Sequence, residues 1–204
     1  MPRVCILDYG AGNVRSVYNL FSQIDADPVV SNSGRDLADA THLVLPGVGA
    51  FAESMRLIRQ FLPVEIIERQ VLACGKPFLG ICVGMQVLAT RGSELGGADG
   101  FGWVSGTVDR LDTGGLRLPH IGWNTVRALR DDAVLGPAGN EGDVYYVHSF
   151  AFRPDDPSSI VGTTCYGEEF CAAVRKENIF GVQFHPEKSQ PVGRKMLENF
   201  VALR

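Results

Sequence analysis

Residues 80–86 read GICVGMQ and follow directly on the apolar run Pro77-Phe78-Leu79. A cysteine packed in a core does not need glycine on both sides; a cysteine held in a tight, strained turn does. G-x-C-x-G is the thiol form of a nucleophile elbow, in which a strand reverses sharply into a helix with the nucleophile at the apex. Gly80 and Gly84 let neighbouring chain come close without Cβ clashes. The turn sets Cys82 at a helix N-terminus, where free N–H groups and the helix dipole favour the attacking thiolate. It also leaves the N–H of Val83 aimed at any oxyanion that forms on a substrate carried by the sulfur.

A thiol nucleophile needs a base, and the chain has four histidines: His42, His120, His148 and His185. His185 ends the strand-like run IFGVQF, within GVQFHPEKS. Pro186 pushes His185 into an extended conformation. Residues two apart in an extended segment face the same way, so Glu187 projects on the side of His185. A carboxylate there can hold the second ring nitrogen and fix the tautomer. Cys82, His185 and Glu187 thus form a candidate triad. Further oxyanion donors are expected from Pro46-Gly47-Val48-Gly49, where glycine lets a peptide turn its N–H into a site.

The elements that must position these groups alternate. Arg3–Leu7 is a first strand leading into DYGAGN, and Asn13 is placed to cap a helix through Gln23, with Val14, Val17, Tyr18 and Phe21 at helical spacing. Strands follow at Pro28–Ser31 and Leu43–Leu45, helices around 51–60 and 63–73, a strand at FLGI and a helix over VGMQVLATR. Such alternation predicts an α/β fold: an open, mostly parallel sheet with helices on both faces. From about Phe101 strand-like runs separated by Gly, Asp and Asn add antiparallel strands, and residues 190–204 return to an amphipathic helix. Without linker or repeat, residues 1–204 read as a single domain.

Other classes fit poorly. DYGAGN lacks the third glycine of a dinucleotide fingerprint, whose place is taken by Arg15, and the second strand ends in Ser31-Asn32 instead of a ribose-binding acid. Nineteen Lys and Arg against 23 Asp and Glu, with no basic run, argue against nucleic acid. Five cysteines (Cys5, Cys74, Cys82, Cys165, Cys171) without a CxxC pair or a His cluster argue against a zinc or disulfide scaffold and for a reducing cytoplasm. No apolar stretch is long enough for a bilayer, and MPRVCILDYG reads as a strand rather than a signal peptide.

GICVGMQ, PGVGAF and FHPEKS, in this order, resemble the class I (triad) glutamine amidotransferases, whose sheet is flavodoxin-like. DYGAGN, PHIGWN and HPEKS sharpen the resemblance to the glutaminase subunits of imidazole glycerol phosphate synthase, over essentially the whole chain. The resemblance implies hydrolysis of glutamine through a Cys82 thioester, without a cofactor or metal. It assigns the oxyanion to N–H groups of Val83 and the Val48-Gly49 peptide, and glutamine binding to Gly47, Gln86, Glu94, Ser149 and Phe150. It also implies a heterodimer with a (β/α)8 barrel cyclase that receives the ammonia. Gly10, Gly12, Asn13, Trp123, Asn124 and Lys188 would lie at that interface, Trp123 in a Gly-flanked loop. Activity is expected to stay low until the cyclase binds its nucleotide, with the Val48-Gly49 peptide misoriented at rest. Glutaminases serving anthranilate, GMP, pyridoxal phosphate or purine synthesis are the alternative.

Overall fold

The computed structural model describes residues 1–203. Its strands are β1 (Arg3–Leu7), β2 (Asp27–Ser31), β3 (His42–Gly47), β4 (Phe78–Cys82), β5 (Arg91–Gly92), β6 (Ala98–Asp99) and β7 (Gly106–Arg110). The second half adds β8 (His120–Ala128), β9 (Glu141–His148), β10 (Phe150–Pro154), β11 (Ile160–Tyr166), β12 (Glu168–Lys176) and β13 (Ile179–Val182). The α-helices are α1 (Val14–Phe21), α2 (Gly34–Asp39), α3 (Phe51–Phe61), α4 (Val64–Glu68), α5 (Val83–Gln86) and α6 (Gln190–Val201).

Nine strands form the main sheet in the order β2-β1-β3-β4-β13-β12-β11-β8-β9. The first five are parallel and the rest antiparallel. The parallel strands at the centre read as unbroken apolar runs because they are buried on both faces: β3, β4 and β13 are buried at every position. A four-stranded sheet, β10-β7-β5-β6, packs beside it, and the chain passes from one sheet to the other at Ser149, between β9 and β10. This second sheet was not legible as a separate unit in the sequence.

Four local expectations are corrected. Asn13 stands at the start of α1 but its side chain does not cap the helix, which ends at Phe21; the amide points away, to Glu187. The expected helix after Cys82 is only the single turn α5, because Val87, Leu88 and Ala89 are buried on all sides and Thr90 already hydrogen-bonds to Gly106 of the second sheet. PHIGWN is not a loop: from His120 onward it lies in β8, paired with β9 from His120↔His148 to Arg127↔Glu141. Tyr18 points to solvent, leaving Val17 and Phe21 as the buried residues of α1.

The parallel strands β1, β3, β4 and β13 end at the same edge, and DYGAGN, PGVG, the elbow and FHPEKS follow them in turn. The chain reverses its direction of strand addition between β1 and β3, and such switch points open crevices at the carboxyl edge of α/β sheets. At this edge a Cβ on Gly84 would run into the Leu45 carbonyl, whereas one on Gly102 (φ +68) would meet nothing within 4 Å. Gly84→Ala is therefore expected to cost about 3 kcal/mol or more by overpacking, and Gly102→Ala only about 1–2 kcal/mol of backbone strain. Urea unfolding midpoints of the two variants check the contrast.

Candidate active site

Cys82 ends β4 with φ +55° and ψ −112°, a left-handed conformation that a non-glycine residue adopts only when its surroundings enforce it. Three glycines supply that enforcement. Gly47 pairs with Cys82 across β3 and β4, and a Cβ on it would come within 2.8 Å of both the Gly84 nitrogen and the Tyr9 hydroxyl. A Cβ on Gly80 would strike the Gly84 carbonyl, and one on Gly84 the Leu45 carbonyl. The elbow is thus stacked backbone against backbone. Because α5 is a single turn, its macrodipole is small. What the turn offers instead is the N–H of Val83, which as the first helical residue has no partner within the helix.

His185 follows β13 and is extended (φ −101°, ψ 96°), as Pro186 requires. Residues 186–188 then close a 3₁₀ turn, and this turn, rather than continued extended chain, brings Glu187 back to the ring. Glu187 Oε1 lies 2.9 Å from His185 Nδ1, with both side chains almost wholly buried. The same oxygen accepts from Asn13 Nδ2 at 3.1 Å, while Oε2 is buried without a partner among the described residues. Ser189 anchors the histidine's backbone: its hydroxyl donates to the His185 carbonyl at 2.6 Å and accepts from the Tyr145 N–H at 3.0 Å. The His185 N–H is held by the Tyr145 carbonyl at 2.9 Å.

Burial pulls the His185 pKa down, but hydrogen bonding to Cys82 and Glu187, reinforced by their charges, outweighs it and lifts the value to about 10. The arrangement favours a cationic imidazole between sulfur and carboxylate.

A cavity of about 270 Å³, just under the usual range of roughly 300–1,000 Å³ for ligand pockets, opens at Cys82. Of the residues predicted for the site, Val48, Gly49, Cys82, Val83, Gln86, Glu94, Ser149, Phe150, His185 and Lys188 line it. Gly47 does not; it sits under the elbow. Glu187 lies behind His185. Gly49 has φ +98° with open space at its Cβ position, so its peptide is unencumbered on that side. Glu94 Oε2 is engaged by the Phe51 N–H at the start of α3, at 2.9 Å.

The residues expected at a partner interface separate into two kinds. Trp123 is 49% exposed and Ile121, two residues before it on the same face of β8, 59%. Trp123 packs edge-on to Tyr145, and Lys188 Nζ lies 5.4 Å from the centre of that same ring. Asn124 instead turns inward, donating to the Cys165 carbonyl at 2.9 Å. Gly10 (φ +84°) and Gly12 (φ +118°) shape the loop after β1, where a Cβ on Gly12 would approach the Pro46 carbonyl oxygen to 2.9 Å. Sequence reasoning missed Gln183, Ser189 and the buried pair His120 and His148. A glutamine inside the apolar run IFGVQF was the available signal, since a buried amide requires partners.

A family model described as glutamine amidotransferase class-I matches residues 5–203. The chain is 44% identical over 206 residues to the imidazole glycerol phosphate synthase subunit HisH of Geobacter sulfurreducens, covering 98% of each chain. It is 40% identical over 201 residues to subunit HisH 1 of Campylobacter jejuni, covering 98% of this chain and 100% of that one. A solved structure of PurLQS from Thermotoga maritima matches with a TM-score of 0.77 over 98% of each chain; at 20% identity this likeness concerns the fold.

Because the folded value of His185 lies above the ordinary 6.5, its stabilising contribution is complete below pH 6.5 and is lost as pH rises through about 10. Glu187→Gln removes one of the groups holding the proton, so the ring is expected to titrate at a lower pH than in the unaltered protein. NMR titration of the His185 ring signals checks this.

Proposed function

Since the chain belongs to the class-I glutamine amidotransferase family, we propose that it hydrolyses glutamine at Cys82 and passes the ammonia to a barrel cyclase in histidine biosynthesis. The observation that carries the reading is the meeting, in one cavity, of a cysteine at positive φ with a histidine ion-paired to a buried carboxylate.

In this reading Cys82 Sγ attacks the side-chain carbonyl carbon of glutamine. The Val83 N–H and the Val48-Gly49 peptide receive the oxyanion. His185, held by Glu187, gives its proton to the departing nitrogen, and ammonia leaves a thioester on the sulfur. Water then attacks the thioester carbon, giving its proton to His185, and glutamate departs as the C–S bond breaks. Glu94, with one oxygen engaged at α3, offers the other to the substrate's ammonium, while Gln86, Ser149 and Phe150 shape the pocket floor.

Free ammonia is the useful nucleophile, yet in neutral water it is almost all ammonium and diffuses away. This is a physical reason for docking on an acceptor enzyme. The exposed Ile121 and Trp123, flanked by Tyr145 and by Lys188 at the cavity, support a partner surface beside the site, extended by the loop of Gly10, Gly12 and Asn13, with Asn124 behind it on the inward face of β8. The relatives' own names, as subunits of imidazole glycerol phosphate synthase, favour this acceptor over those of the anthranilate, GMP or purine pathways. We place the protein, as one domain, in the cytoplasm; no helix among the described residues is long and apolar enough to cross a membrane.

Ammonia release from glutamine, measured with and without the cyclase and its nucleotide substrate, tests the reading. A Cys82-dependent rise on the order of 10²–10³ with the liganded cyclase is expected if one oxyanion donor is completed on activation. Full activity alone would keep the glutaminase and remove the cyclase; no activity under any condition would sink both.

A further inference from the structure

The Phe150 carbonyl accepts two hydrogen bonds, from Gln86 Nε2 at 3.0 Å and from His148 Nδ1 at 2.9 Å. A carbonyl can only accept, so it assigns the protons of both partners. Gln86 must turn its NH₂ to Phe150, and the same nitrogen reaches Gln183 Oε1 at 2.9 Å. Gln183 must then present its oxygen to Gln86, because the opposite orientation would set two NH₂ groups face to face. Its own nitrogen consequently lies 3.7 Å from Cys82 Sγ. Gln183 is completely buried, so its amide has no solvent to turn to.

The other branch is fixed in the same way. With Nδ1–H on the Phe150 carbonyl, His148 offers Nε2 as an acceptor, and His120 Nδ1 donates to it across 3.0 Å. His120 Nε2 then accepts from Asn124 Nδ2 at 3.4 Å. Burial holds both imidazoles below their ordinary range, His148 at about 4, which keeps this pattern of single protons.

We propose that Gln183 is a catalytic residue of this site, donating its amide N–H to the Cys82 sulfur whenever the sulfur is negatively charged, with Gln86 and the Phe150 carbonyl holding the amide in the one orientation that permits it. This rests on the reading of Cys82 as the glutaminase nucleophile. When Cys82, whose thiol also faces the Val147 carbonyl at 3.8 Å, gives its proton to His185 at the start of the cycle, the bond stabilises the thiolate so formed. It weakens when the S–C bond forms and the charge leaves the sulfur. It re-forms when water has added to the thioester carbon and the C–S bond breaks with its electron pair returning to sulfur. Gln183 thus assists the thiolate both as nucleophile and as leaving group, while the backbone N–H groups serve the oxyanion.

The test uses the full chain and two readouts. Absorbance at 240 nm, referenced to Cys82→Ala, reports thiolate without substrate; steady-state glutaminase activity with the liganded cyclase reports catalysis. Gln183→Met keeps the volume and removes the donor. It is expected to lose at least threefold of the Cys82-dependent absorbance at neutral pH and about 10- to 100-fold in kcat, the worth of a hydrogen bond to a charged group, with KM within twofold. Gln183→Leu likewise presents no N–H to the sulfur and adds no charge beside it, and is expected to show the same two losses; it decides the matter if the Met variant does not fold. A folded variant of either kind with an undiminished thiolate signal overturns the proposal. A normal thiolate signal in the unaltered chain, lost in Gln183→Met, combined with no glutamine hydrolysis under any condition, would instead sink the glutaminase reading and leave the contact to sulfur standing.

Discussion

The left-handed backbone at Cys82 is the constraint on which the rest of the site depends. Such a conformation costs on the order of 1–3 kcal/mol and persists only where surrounding structure over-determines it. Here β3 and β4 pair up to Gly47↔Cys82, and Gly84 lies against the Leu45 carbonyl so closely that no side chain fits between. The sheet therefore dictates the turn. With β13 paired to the other side of β4 up to Val182↔Ile81, Gln183 comes level with Cys82, and the Tyr145 carbonyl of β9 then holds His185 just beyond that ladder, so nucleophile and base share one rigid reference frame.

Around this frame the polar groups are wired by long-range bonds in a low-dielectric setting, where each pairing counts for more than in water. Asn13, from the loop after β1, holds the carboxylate that holds His185, so a helix start that lacks a side-chain cap serves the triad instead. Ser189 binds the histidine's carbonyl and ties it to β9. Close packing completes the arrangement: a Cβ on Gly193 of α6 would strike the Pro186 carbonyl, so the last helix seats directly on the turn that carries Glu187.

The passage from the main sheet to the small one at Ser149 has a chemical consequence. It turns the Phe150 carbonyl out of the β9 ladder and toward Gln86 and His148, joining the elbow to the strand that bears Trp123 and Asn124. An unbroken series of hydrogen bonds thus runs from Asn124, through two neutral imidazoles and two amides, to the Cys82 sulfur. The inward face of β8 and the reacting atom are parts of one connected polar framework, while Ile121 and Trp123 lie on the opposite, exposed face of the same strand.

Which atoms can react was decided by the sequence alone, because that is a matter of side-chain chemistry and short-range geometry. Cys82 between Gly80 and Gly84, and Glu187 two residues after His185 across a proline, carry their meaning within a few positions. The central strands were legible for the same reason, as apolar runs buried on both faces. The single-turn α5 and the strand character of PHIGWN were not, since the first is cut short by pairing with a second sheet and the second depends on β9, about twenty residues away. Only the tertiary structure decided the partners: Asn13 meets Glu187 across 174 positions, and Gln183 meets Gln86 across 97. The orientation of an amide or the tautomer of an imidazole is set by the acceptor that faces it, and which acceptor faces it is a property of the folded chain.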